Sequence, residues 1–203
     1  MKADLQKAPI DDRFNHLLTV LKSERFLKKQ GLGNEVPFFI CPYAPQEQND
    51  MAEIQGHLQK QLAQRGIRVL AINLYNLSIE LLKGRGIWDR ILQIEPTVDR
   101  DRLLELLQST LDPETHLVPA IAAKMQDEAF DILFVSGVGE VFPYIRSHNV
   151  LNNLQRVAKE QPTVMFFPGD YIQTVASGAS LRLFGRLHDD KYYRAFNIYH
   201  YEV

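Results

Sequence analysis

VPFFICPYAPQEQNDMAEIQGHLQKQLAQRGIRVLAINL, residues 36–74, is the stretch whose reading decides the fold. Its opening, VPFFICPY (36–43), is almost continuously apolar with a proline towards each end, the mark of a strand buried on both faces. From Asn49 or Asp50 to Arg65 the chain opens on a cap residue. It then carries Met51, Ile54, Leu58 and Leu62 at three- or four-residue spacing and stops at Gly66, which predicts a helix. IRVLAINL (67–74) reads as a second apolar strand. Strand, helix, strand in this order is the βαβ unit of a parallel sheet, with a right-handed crossover expected.

Working outward, Phe14, Leu17, Leu18, Leu21 and Phe26 form a helical stripe from Asp11 onward, with Gly31 to Asn34 as the stop. LSIELLKGRG and WDRILQIE have helical spacing. Asp99 to Leu111 and Asp112 to Gln126 read as two more helices, the second opening D-P-E, a cap with proline at the first helical position. DILFVSGVG is a third strand, SHNVLNNLQRVAKE a helix and PTVMFFPGD (162–170) a fourth strand. In the tail, LRLFGRL and YYRAFNIYHYEV read as two strands joined by a tight polar turn at H-D-D-K. The expectation is a single α/β domain over 1–203, with an N-terminal helix within 1–31 and a C-terminal strand pair within 180–203. Its mostly parallel sheet is flanked by helices on both faces, Rossmann-like or P-loop-NTPase-like without a phosphate-binding loop, and ends in a C-terminal hairpin or antiparallel edge.

Composition bounds the function. A formal net charge of −2 gives no global positive field of the kind that drives non-specific DNA binding. The one cysteine, Cys41, excludes an intramolecular disulfide and a cysteine-cluster metal site, which fits a reducing compartment. Neither a signal-peptide core nor a run of ~18 apolar residues occurs, so a cytoplasmic protein without a membrane span is expected.

Most catalytic motifs fail. Gly137-Val-Gly139 follows a strand as in dinucleotide-binding turns, yet Phe142 stands where the third glycine belongs. The plainer reading is a sharp turn whose Phe142 and Tyr144, at least half buried, plug the top of the core. Gly-Lys, Gly-x-Ser-x-Gly, His-Glu-x-x-His, Cys-x-x-Cys and Glu-x-Lys are all absent. The six histidines show no helical ligand spacing, so no metal and no cofactor are expected.

In doubly wound sheets ligands sit beyond the carboxyl ends of the strands, where CPYAPQEQND, NLYNLS, SGVGEVFPYIRSHN and PGDYIQTVASGAS gather unusual residues. One reading places a phosphate on Arg146 and His148 at a helix start, with Glu140 or Asp170 as general base. Against it, Ser147 or Asn149 simply caps that helix while His148 is solvated. In the tail Arg182, Arg186, Lys191 and Arg194 interleave with Phe184, Tyr192, Tyr193, Phe196, Tyr199 and Tyr201. That pattern suits a protein interface, a clamp for single strands, or a strand pair with one solvated face.

GLGNEVPFFICPY, SGVGEVFPYIRSHNVLNNLQ, and MFFPGDY followed by SLRLFGRLHDDKYYRAF together resemble, in that order, the B-protein family of BREX bacteriophage-exclusion systems. The specific pieces are Gly137, Val138, Gly139, Pro143, Arg146 and His148, then Pro168, Gly169 and Tyr171, then L-R-L-F-G. One departure is IQTVASGAS, between Tyr171 and Leu181, read as a loop longer than the family's connection. The resemblance implies a bacterial antiphage component without catalytic residues. Its companions would include a DNA methyltransferase, a large ATPase and an alkaline-phosphatase-like protein that it contacts.

The expected role is a non-catalytic interaction subunit, with a ligand- or nucleotide-binding, even enzymatic, domain as the alternative. Candidate binding residues are Glu140, Arg146, His148, Asn152, Asp170, Arg182, Arg186, Tyr192, Tyr193 and Arg194. DNA contact is expected to be indirect or weak, and a Tyr-rich C-terminal edge strand suggests a homodimer.

Overall fold

The structure, a computed structural model, describes residues 5–30, 37–174, 178–189 and 195–203. The parallel strands are β1 (Phe38–Tyr43), β2 (Val69–Asn73), β3 (Ile132–Ser136), β4 (Thr163–Thr174) and β7 (Phe196–Asn197), in the order β2-β3-β4-β1-β7. β1 lies inside this sheet, and each of its residues is buried, as an apolar run without alternation requires.

Alternation along the strands sorts the core into two layers. Phe38, Ile40, Leu133, Val135, Met165 and Phe167 face one side. There they meet α4 (Leu74–Gly84), α5 (Trp88–Ile94), α7 (Val118–Asp127) and α8 (Ser147–Val157). Phe39, Cys41, Phe134, Val164 and Phe166 face the other, against α1 (Ile10–Leu21), α2 (Glu24–Leu27) and α3 (Gln48–Ala63). α6 (Arg100–Thr110) packs beside α5. Helices thus cover both faces, as the βαβ reading requires.

Local chemistry explains the boundaries. Gly66, at φ +76°, ends α3 in the left-handed region. Asn73 and Asp99 cap α4 and α6 by accepting from the Asn76 and Arg102 amides at 3.0 and 2.8 Å. Asp112 caps the turn Pro113–Leu117 that leads into α7. α3 starts one or two residues before the expected cap, because the 3₁₀ turn Pro45–Glu47 runs straight into it.

Three expectations are corrected. The N-terminal stripe is two helices, since Ser23 accepts from the Phe26 amide and starts α2 afresh; the Gly31 to Asn34 stop lies outside the described residues. IQTVASGAS is in large part strand: β4 runs on to Thr174 and pairs antiparallel with β5 (Gly178–Leu183). LRLFGRL is not one strand, because β5 turns at Phe184–Arg186 into β6 (Leu187–Asp189). The turn falls there because Phe184 and Gly185 both take positive φ, 55° and 68°. The antiparallel hairpin therefore lies within residues 178–189 with its turn before H-D-D-K, and the expected pairing of LRLFGRL with YYRAFNIYHYEV is replaced: Phe196–Asn197 runs parallel to β1 and Ile198–His200 is a 3₁₀ turn.

Candidate functional site

The carboxyl ends of the parallel strands converge on the root of this hairpin. β4 changes partner at Pro168: up to there it pairs with β1, and from Gly169 onward with β5. A Cβ on Gly169 would lie 2.1 Å from the Arg182 carbonyl oxygen, so the close crossing of β4 and β5 admits only glycine.

From β3 the chain leaves through Gly137, at φ +76°, where a Cβ would lie 2.8 Å from the Asn73 side-chain oxygen Oδ1. Two residues on, a Cβ at Gly139 would lie 2.9 Å from both the Phe184 ring and Pro168. The Phe184 ring also meets Phe142 edge to face, with centroids 6.3 Å apart. The crevice in which doubly wound folds seat their ligands is thus filled by the molecule's own hairpin turn. Phe142 and Tyr144 are half-buried against the core, as expected of the plug.

Polar chemistry persists on one side. The Tyr43 hydroxyl, at the end of β1, donates to Gln48 Oε1, and Gln48 Nε2 donates to Glu140 Oε1 at 3.4 Å. Burial, with the negative potential of Cys41 and Glu140, pushes the Tyr43 hydroxyl's pKa well above its ordinary value. Tyr144 is pushed up to about 12 by burial first, then by Tyr75 and Glu140.

Behind β1 lies a buried polar knot. Arg13, only 2% exposed, holds the Glu47 carboxylate with Nη1 and Nη2 at 2.9 and 2.6 Å. Glu47 also accepts from the Ala44 amide at 3.1 Å. Burial opposes the Arg13 charge, but Glu47 and Tyr199 outweigh it and hold its pKa above the ordinary value. Next to it, the Cys41 thiol donates to the Tyr199 hydroxyl at 3.4 Å, and burial pushes the thiol up to about 12.

The candidate residues divide. Glu140 is exposed at the crevice mouth; Asp170 and Arg182 face each other in register across β4 and β5, both half-buried. Arg186 is exposed on the turn, and Asn152 on α8. Arg146 is exposed, whereas His148 is only 6% exposed, so the two share no solvent-facing cradle, and a solvated His148 is corrected as well. His148 precedes Leu151 by three residues and so lies on the buried face of α8. Neither Ser147 nor Asn149 caps that helix, whose N-cap position is Arg146.

Tyr192, Tyr193 and Arg194 lie outside the described residues. Tyr199 is buried, and Tyr201 packs on Phe26 and Phe39 while donating to the Gln30 carbonyl at 2.8 Å. These two tail aromatics belong to the core, not to a stacking surface or a Tyr-rich pairing edge. Tyr43, Gln48 and Asn73 carry no individual signal in the sequence, although CPYAPQEQND and NLYNLS mark their loops. Among the described residues no group of acidic, histidine and cysteine side chains could hold a metal ion, and no helix is long and apolar enough to cross a membrane.

The family profile of BREX protein BrxB matches residues 70–198, from β2 to the C-terminal 3₁₀ turn. The chain belongs to the BrxB family. A BREX protein BrxB of Bacillus cereus (strain H3081.97) is 34% identical over 193 residues, covering 93% of this chain and 97% of that one. A BREX protein BrxB of Escherichia coli O9:H4 (strain HS) is 29% identical over 189 residues, covering 93% and 91%. No solved structure matches the chain. Membership of the BrxB family gives it a role in BREX phage defence, as its motifs implied. The hairpin root and the filled crevice both lie within the segment that the BrxB profile matches.

Proposed function

We propose that this chain is a non-catalytic interaction subunit of a BREX system, docking companion proteins and above all the alkaline-phosphatase-like component. The observation that carries this reading is the crevice at the strand ends. Phe184 and Pro168 occupy the space over Gly139 that a nucleotide phosphate would need, and Arg146 and His148 do not converge. The hairpin that fills the crevice leaves Arg186 exposed and one part of the packed Phe184 ring open to solvent, side chains of the types enriched in protein interfaces. Co-purification with the phosphatase-like protein, the large ATPase and the methyltransferase, each in turn, tests it. A stable complex with the first, weakened by Arg186→Glu, is expected; elution alone in every pairing would refute the reading.

The relay from Tyr43 through Gln48 to the exposed Glu140 favours a second reading, a small-ligand site at the strand ends. Loss of phage resistance in Glu140→Ala or Asp170→Ala, with folding and companion binding intact, would establish it. Retained resistance in both would remove it.

A further inference from the structure

The four helices between β2 and β3, α4 to α7, leave an open trough on the side of the molecule formed by α5 and α6. Ile91 and Ile94 face Leu103 and Leu106 across a hollow of about 430 Å³, within the ~300–1,000 Å³ range of binding pockets. Its inner end is closed by Thr110, whose carbonyl accepts from Arg85 at 2.6 Å.

Two features mark this trough as unfinished. α6 carries Leu103, Leu104, Leu106 and Leu107, all half-buried and none fully buried; three of them pack against the core, yet the apolar stripe is only partly covered. The charged side chains lining the trough are Arg90 and Arg102, both exposed, and no carboxylate lines it. Neither guanidinium has a hydrogen-bond or ion-pair partner among the described residues. A second hollow across α5 shares Ile91 and Leu103 and brings in Trp88, Tyr75 and Leu92, the last two 42% and 46% exposed. The largely apolar surface, with Glu95 of the second hollow its one lining carboxylate, is therefore continuous over both sides of α5 and wider than one small molecule would cover.

We propose that the α5–α6 trough receives an acidic amphipathic helix of a companion protein, its apolar face on the isoleucines and leucines and its carboxylates on Arg90 and Arg102. This surface is separate from the hairpin, and the proposal rests on the reading of the chain as an interaction subunit.

The test uses the full chain and its Arg90→Glu/Arg102→Glu variant, both substitutions being at exposed positions. Fluorescently labelled peptides tiled across the companion proteins are titrated by anisotropy, alongside laurate and a sedimentation measurement of self-association. The expected result is an acidic, helix-forming tile whose affinity falls about ten-fold or more in the variant, and falls with added salt. The proposal is overturned if no tile depends on the two arginines. It is equally overturned if the arginine-dependent occupant proves to be laurate or a second copy of this chain. If a companion complex forms equally with both chains and no tile depends on the arginines, the trough is excluded and the interaction reading stands. If no companion binds the intact chain, that reading fails, while the tiles still decide the trough.

Discussion

Arg13, in the first helix, holds Glu47, in the turn after the first strand, by two hydrogen bonds of 2.9 and 2.6 Å, although 34 residues separate them. The pair is unequal: Arg13 is shut away from water while the Glu47 side chain is 32% exposed. Removing the carboxylate leaves a buried cation without its counter-charge, which is costlier than losing a surface ion pair. Glu47→Gln is expected to cost about 2 kcal/mol in urea unfolding, below the ~3–5 kcal/mol of a fully buried pair because of that exposure.

The same pair sets an acid limb. Hydrogen bonding from Arg13 holds the Glu47 carboxyl below its ordinary value of 4.5, and Arg68 holds Asp131 below 3.8 in the same way. A carboxyl depressed in the folded state contributes stability above its unfolded pKa, and this is lost as pH falls through the folded value. Stability is therefore expected to decline as pH drops below about 4.5, and the decline should be shallower in Glu47→Gln. Urea midpoints measured across that range check the difference.

At the alkaline end Tyr43, Tyr144 and Tyr199 all have hydroxyls raised from the ordinary 10.0, chiefly by burial. An acid kept neutral by the fold contributes stability below its unfolded pKa and loses it as pH rises above that value. Absorbance at ~295 nm should show Tyr144 ionising near 12 and Tyr43 and Tyr199 ionising only with unfolding. The chain has eight tyrosines, and titration of all eight near 10 in the folded protein would contradict the burial described.

Cys41 offers a sharper readout, since it is the chain's one thiol. Buried, bonded to Tyr199 and raised to about 12, it should resist Ellman's reagent in the native protein and react stoichiometrically in denaturant. Rapid labelling without denaturant would mean that the layer of α1, α3 and the C-terminal turn opens readily.

Two glycines give opposite signs. Gly169→Ala drives a Cβ into the Arg182 carbonyl and should cost about 3 kcal/mol or more, with the hairpin displaced. Gly56→Ala, inside α3 with nothing within 4 Å, should stabilise by about 0.5–1 kcal/mol. Thermal melts of the two variants beside the wild type decide both.

Legibility in the sequence followed the range of the interactions. β1 and α3 were readable because unbroken burial and three-to-four spacing are local signals, and both elements match to within two or three residues. The turn at Phe184–Arg186 was hidden because a phenylalanine at φ 55° advertises strand, whereas H-D-D-K advertises turn. Arg13 follows two aspartates and reads as part of a solvated face; its burial depends on Glu47, which no local pattern links to it. The relay to Glu140 joins residues 92 positions apart and becomes visible only when β1 and β3 flank β4. His148, by contrast, was legible in principle, since its spacing from Leu151 places it on the apolar face of α8.

β4 is one unbroken strand of twelve residues, its first half locked between β3 and β1 and its second half forming the hairpin. Mechanically it is a beam built into a wall: a load on the projecting end passes along covalent bonds into the anchored end. A protein that pulls on the hairpin therefore pulls on the middle of the sheet, where parallel hydrogen bonds run on both sides and must shear together before the strand yields. The hairpin is a handle fixed to the frame of the molecule, suited to bearing tension between the parts of an assembly.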